Sequence, residues 1–201
     1  MTTKGMSPVR IHGYLVSTWV RTVCMVCIEK GIDYELLPIA YGGPEHHALH
    51  PFAKIPVLQH DGHTVTESLS IVGYLDEAFD GPGLQPADLG ERTRMREWMG
   101  LCADYVYRLV VRGIPRGRQP TDEELAGARG VLEQVEALLG DGPFLVGEQI
   151  SLADLYLAPQ LSNVREKAPE LLEPLVRSRG WLSSIESRPS FVQTGYNPAV
   201  L

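Results

Sequence analysis

The stretch His50-Pro51-Phe52-Ala53-Lys54-Ile55-Pro56-Val57-Leu58, with Asp61-Gly62 and Thr66-Glu67-Ser68 after it, decides how this chain folds. Pro56 stands in a β-forming run, where its missing N–H would damage a central ladder, so the backbone beside it is left to pair with something outside the sheet. A bound peptide is the natural occupant. Val57 and Leu58 begin a strand, Asp61-Gly62 is a strong hairpin turn, and Val65-Thr66 is the strand coming back. Glu67 and Ser68 then open a helix. The N–H groups at that helix start, with the Ser68 hydroxyl, suit a carboxylate, and Glu67 suits an ammonium group, so the pair fits the end of an amino acid.

Upstream, Arg10 to Tyr14 reads as a strand. Arg21 to Lys30 has the helical spacing Val23, Val26, Cys27, Lys30 and meets a stop at Gly31, and Tyr34 to Pro38 is a second strand. A helix between two strands makes them parallel, which gives a thioredoxin-like α/β unit of strand, helix, strand, loop, hairpin and helix. Asp80-Gly81-Pro82-Gly83-Leu84-Gln85-Pro86 is dense in turn formers. The expected organisation is therefore a thioredoxin-like domain at 1–80, a linker at 81–90 and an all-helical domain at 91–201. In the last of these, Glu91 to Arg112 carries an apolar stripe at Met95, Trp98 or Met99, Cys102, Tyr105 or Val106, and Leu109. Thr121 with Glu124 is a capping box for a helix to Leu139, and Ser151 with Asp154 opens another that is apolar nearly all round and belongs at the centre of the domain.

A chain of 201 residues that is 44% hydrophobic and 21% charged is an ordinary globular composition. Its net charge of −7 argues against a nucleic-acid surface, which needs clustered Lys and Arg. The first ten residues lack a long apolar core and no later run approaches a membrane span of roughly 20 apolar residues, so no membrane association and a cytoplasmic location are expected. Three unevenly placed cysteines make no disulfide framework. Cys24 and Cys27 form a Cys-x-x-Cys, but Ser17 holds the helix-start position that a redox cysteine would occupy, so these two read as core residues. His46 and His50 have metal-ligand spacing without a third ligand, and no metal is expected. Arg108, Arg112, Arg116 and Arg118 gather positive charge at the end of the long helix, where cations suit the helix dipole or attract an anionic ligand.

The order Pro-Phe-x-Lys-Ile-Pro-Val-Leu, Asp-Gly, Glu-Ser and Tyr74-Leu75-Asp76 resembles the glutathione-binding half of the soluble glutathione transferases. The likeness extends upstream to Ser17-Thr18-Trp19-Val20-Arg21 and Glu29-Lys30-Gly31, and downstream to Ser151-Leu152-Ala153-Asp154 and Arg188-Pro189-Ser190-Phe191, which covers nearly the whole chain. It implies a homodimeric enzyme, similar to the serine-using phi-like and theta-like branches, with a thioredoxin-like domain joined to an all-α helical domain. Glutathione is then a co-substrate, bound by Lys54, Ile55, Pro56, Glu67 and Ser68. The Ile55–Pro56 bond is cis in that family, and the backbone of the residue before the proline pairs with the cysteinyl unit as an added strand does.

The resemblance makes Ser17 the donor to the glutathione sulfur, with Thr18 or Tyr14 able to share or replace it. The residues alone keep a plainer account open, in which Ser17 only caps its helix. A free thiol titrates near about 8.5, and a depression of about two units makes the thiolate predominant at neutral pH. That thiolate would attack a small hydrophobic electrophile in a pocket between Ser17 and the long helix, with Trp19, Tyr105, Arg108 and Arg112 as contacts, in the manner of a detoxification enzyme. Tyr41 and Gly42 fall where the family usually has basic residues, which leaves the glycine carboxylate to Lys54 or a nearby histidine. Two alternatives stand beside this reading: a non-catalytic ligand-binding or protein-interaction module, and a glutathione-dependent peroxidase, isomerase or dehalogenase.

Overall fold

Four short strands form one mixed sheet in the order β2-β1-β3-β4 in the computed structural model, which describes residues 8–195. Strands β1 (Val9–His12) and β2 (Tyr34–Leu37) are parallel because helix α1 (Thr18–Lys30) carries the chain back between them. Strand β3 (Val57–His60) runs antiparallel to β1, and β4 (His63–Thr66) runs antiparallel to β3. Asp61 and Gly62 join β3 to β4 with φ of 50° and 79°, and two successive positive φ values are what a tight twisted hairpin demands. Helix α1 ends at Gly31, whose left-handed φ of 70° lets the chain turn off the last carbonyls. Helix α2 (Pro44–Leu49) lies in the loop before β3, and α3 (Ser68–Ala78) follows β4 and packs beside α1. The Lys30 ammonium at the end of α1 meets the Asp76 carboxylate of α3 at 3.0 Å, and both side chains are buried.

The described residues divide into two compact units. One takes the chain through Gly83 and resumes at Pro189; the other is Leu84–Arg188. Residues 189–195 therefore depart from the expected helical stretch of 91–201 and pack with the sheet unit. The buried guanidinium of Arg21 on α1 lies 3.9 Å from the centre of the Phe191 ring and donates to the Phe191 carbonyl at 3.1 Å, and Ser190 donates to Glu29 at 2.5 Å. A cation that cannot reach water in the core of the first unit is satisfied by the short helix α8 (Pro189–Gln193), which ties that segment down.

In the helical unit, α4 (Leu89–Leu101) starts ahead of the expected Glu91 because the Asp88 carboxylate caps it, accepting from the Glu91 N–H at 2.9 Å. From Cys102 to Val111 the helix widens into a π-helix, closed by the Arg112 N–H donating to the Tyr107 carbonyl. Of the expected stripe's alternatives Val106 is buried and Tyr105 is 54% exposed, and the wider turn corrects the stripe at Leu109, which is 50% exposed while Val110 and Val111 are buried. Helix α5 (Asp122–Leu138) begins on the Thr121–Glu124 capping box. Helix α6 (Leu152–Lys167) is buried at every position from Leu152 to Val164, as its all-round apolar sequence predicts, and α7 (Val176–Glu186) packs on it. Among the described residues, no helix is long and apolar enough to cross a membrane.

Candidate functional site

The first unit brings the start of α1, the Ile55–Pro56 bond and the start of α3 onto one set of strands. Ser17 is the N-cap of α1, with extended backbone (φ −78°, ψ 121°) and a hydroxyl that accepts from the Val20 N–H at 3.5 Å. No acidic residue stands in the first turn, so neither its N–H groups nor its positive dipole end is neutralised from within the helix. A hydroxyl that accepts the cap bond still has its own O–H to donate, and Ser17 is half-buried, within reach of a ligand. The cap role and the donor role are therefore compatible.

Gly13 fixes how closely α1 approaches the loop before β3. A methyl group there would fall 2.6 Å from Cγ2 of Val20 and 3.4 Å from Cβ of Ile55, and its φ of 152° disfavours any other residue. The helix start and Ile55 thus meet across a glycine. The Ile55–Pro56 peptide is cis. Ile55 precedes the first paired residue of β3, Val57, which is opposite His12, and its own N–H and C=O have no backbone partner among the described residues.

At the far end of the hairpin Glu67 has φ 64° and ψ 119°, a conformation costing a non-glycine residue about 1–3 kcal/mol, and it holds the N-cap place of α3 with its carboxylate 72% exposed. Such strain persists only where the surroundings impose it, and it clusters at ligand sites. Ser68 is the first helical residue. Lys54 is exposed, and its ammonium has no partner among the described residues.

The other candidates sort by what their polar atoms already do. The Tyr14 hydroxyl donates to the Ile39 carbonyl at 2.5 Å, so its proton is committed and Tyr14 is withdrawn as an alternative donor to a sulfur. Thr18 is buried, and its Oγ1 has no hydrogen-bond partner among the described residues. His46 is fully buried with Nδ1 accepting from the Gly42 N–H at 3.1 Å and Nε2 donating to the Lys54 carbonyl at 3.0 Å. Both of its nitrogens are spent on the loop, which fits neither metal ligation nor carboxylate binding. Tyr41 stacks edge-on against His46, so Tyr41 and Gly42 serve this loop where a basic pair would face a ligand.

Burial pushes the Cys24 thiol up to about 12, and burial with the neighbouring Cys24 carries Cys27 well above its ordinary value. Neither behaves as a low-pKa redox cysteine.

Trp19 lies in the first unit, and Tyr105, Arg108 and Arg112 lie in the second. Of the arginine group, Arg118 is paired with Glu124, whereas Arg108, Arg112 and Arg116 have no acidic partner among the described residues. The cation that satisfies the end of the π-helix is one the sequence reading missed: Lys167 donates to the Val111 and Ile114 carbonyls at 2.7 and 3.1 Å. Burial, with Arg116 and Arg112 nearby, brings its ammonium down to about 8. Nothing in local sequence links Lys167 to a helix end 56 residues earlier.

Comparison with known proteins bears directly on this arrangement. Residues 11–83 match the family model for the glutathione S-transferase N-terminal domain, and residues 99–189 match that for the C-terminal domain. The chain belongs to the glutathione S-transferase family. The transferase is 28% identical to glutathione S-transferase 3 of Zea mays, over 94% of each chain. It is 32% identical to a maleylacetoacetate isomerase of Rattus norvegicus, over 76% of each. A solved structure of a glutathione S-transferase from Methylobacillus flagellatus with glutathione bound superposes with a TM-score of 0.82 at 25% identity, covering 94% of this chain and all of that one. The thioredoxin-like and helical units are thus those of a transferase, an enzyme that uses glutathione as a substrate.

Proposed function

We propose that this enzyme lowers the thiol pKa of bound glutathione at Ser17 and uses the thiolate to attack a small electrophile. The observation that carries the reading is the start of α1, a half-buried serine cap with an O–H to spare on a helix end bare of acids. The Ser17 proton and the helix dipole both favour a negative sulfur, and the thiol proton leaves to solvent. The thiolate forms a carbon–sulfur bond and displaces the leaving group, with proximity and the raised thiolate fraction supplying the rate.

Glutathione lies with its cysteinyl backbone paired to Ile55 beside Pro56, its γ-glutamyl carboxylate on Ser68 and the N–H groups of α3, and its ammonium on Glu67. Lys54 takes the glycine carboxylate. Among the histidines of that loop, only His47 keeps an exposed ring that could help. Thr18 acts beside Ser17 as a second hydroxyl. On the helical unit, Tyr105, Arg108 and Arg112 contact the second substrate, and Trp19 does so on the first. The enzyme works as a cytoplasmic homodimer in detoxification.

A second reading, glutathione-dependent isomerisation, is favoured by Arg108, Arg112 and Arg116. Three arginines without acidic partners suit a carboxylate-bearing substrate such as the one named for the isomerase relative. Both readings use the same activated sulfur.

The test is the ultraviolet difference spectrum of the glutathione thiolate on wild type and Ser17→Ala across pH. A bound thiol titrating well below free glutathione in wild type, and returning toward it in the variant, is expected. Saturable binding with no difference between the two proteins would reduce Ser17 to a helix cap.

A further inference from the structure

His50 is 2% exposed, and the geometry fixes which of its nitrogens holds the proton. Its Nδ1 accepts from the Phe52 N–H at 3.1 Å, so in the neutral ring the hydrogen is on Nε2. That Nε2 lies 3.6 Å from Oε1 of Glu67, and it makes no closer contact among the described residues. The ring is held at both of its backbone sides. Its N–H belongs to the residue closing α2, donating to the His46 carbonyl at 2.8 Å, and its carbonyl accepts from Ala53 at 2.9 Å as the chain turns through the positive φ of Ala53, 45°. The imidazole is thus fixed with its second nitrogen 3.6 Å from an exposed carboxylate whose backbone is held at φ 64°.

We infer that His50 is a positioning residue for Glu67, holding its carboxylate where the ligand's α-ammonium group is received. The inference rests on the reading of Glu67 as the ammonium acceptor. Glu67 is otherwise a long side chain facing water, with several rotamers open to it, and an acceptor left to wander forfeits rotamer entropy when a ligand arrives. One oxygen steered by the His50 N–H leaves the other for the ammonium. His50 touches neither the sulfur nor the electrophile in this scheme, so its effect falls on recognition of the amino-acid end and not on the chemical step.

The experiment compares glutathione with deaminoglutathione, which lacks the ammonium group, by calorimetric titration of wild type, His50→Leu and His50→Gln, with kcat and KM measured for glutathione in each. Wild type should prefer glutathione. In His50→Leu that preference should shrink by roughly three- to tenfold through weaker glutathione binding, with deaminoglutathione affinity and kcat nearly unchanged. His50→Gln, which keeps an N–H donor, should recover most of the loss. A His50→Leu protein that binds glutathione with the wild-type preference overturns the inference while leaving the glutathione site standing. Wild type that binds neither compound, or both equally, overturns the reading of Glu67 and the inference with it. Nitrogen-15 NMR of the wild-type ring gives a check that needs no variant to fold: a proton on Nε2 is expected, and a neutral ring with its proton on Nδ1 overturns the proposed contact.

Discussion

Helices α1 and α6 both begin on a serine, and the two starts are finished differently. At α6 the Ser151 hydroxyl and N–H both donate to Asp154 at 2.9 Å, and the same carboxylate accepts from the Leu145 N–H at 2.8 Å and the Trp181 indole at 3.1 Å. Serine and carboxylate are both buried there. At α1 the Ser17 hydroxyl accepts a single long bond, Val20 stands where the acid of a capping box would be, and the side chain is half-buried. A helix end that spends its polar groups internally holds a fold together. One that leaves a donor and an uncompensated dipole near the surface is prepared for an outside anion.

The comparison breaks most visibly at Asp154. Asp154→Ala strands the Leu145, Ser151 and Trp181 donors in the core, so urea denaturation should show a loss of about 3 kcal/mol or more, while the surviving folded protein binds glutathione as before. Ser17→Ala should do the reverse. Turnover per KM falls about 10²-fold, and stability changes by about 1 kcal/mol or less. A Ser17→Ala enzyme that is merely less stable would make the two serines equivalent and end the distinction.

Acid gives a finer test, because only the α6 start is titratable. Burial raises the Asp154 carboxyl above 3.8, and the donors from Leu145, Ser151 and Trp181 offset part of that rise. A raised folded-state value means that the native protein holds the proton more tightly than the unfolded chain. The contribution of this group to stability is therefore greatest in acid and declines as pH rises from 3.8 through the raised value. Denaturation of wild type and Asp154→Asn across that range should show the wild type losing ground to the variant as pH increases. The smallest effect expected is at α1: Trp19→Glu adds the missing acid to the first turn and should raise the bound thiol pKa by about half a unit, read from the same ultraviolet titration.

Much of this site was legible because it is written in short-range chemistry. Asp61-Gly62 can hardly be anything but a tight turn, Gly31 stops α1, and Thr121 with Glu124 or Ser151 with Asp154 announces a helix start from residues three apart. The stripe on the long helix held at Cys102 and at Val106, one of its two alternatives, and failed at Leu109, because a pattern of period 3.6 presumes an α-helix and the π turns bury Val110 and Val111 instead. Tyr14 stood beside Thr18 as a substitute for Ser17, and the Ile39 carbonyl, which takes the Tyr14 proton, removes it. His46 and His50 showed only a metal-ligand spacing with no third ligand. Their spacing is local, but the partners that set their roles, Lys54 for one and Glu67 for the other, come from different turns of the chain.

The amino-acid sequence by itself determined the βαβ order and its parallel strands, the hairpin, the helix starts at Thr121 and Ser151 and the buried centre of the helical unit. Each follows from the periodicity of apolar residues or from a side chain bonding its own backbone a few positions away. Only the tertiary structure decided that residues 189–195 return to the first unit, that Lys167 closes the π-helix, and which hydroxyls and imidazoles still have a proton to give. Those outcomes depend on buried charges and donors finding acceptors across tens of residues, and the choice of partner is fixed by which groups folding brings within hydrogen-bond distance.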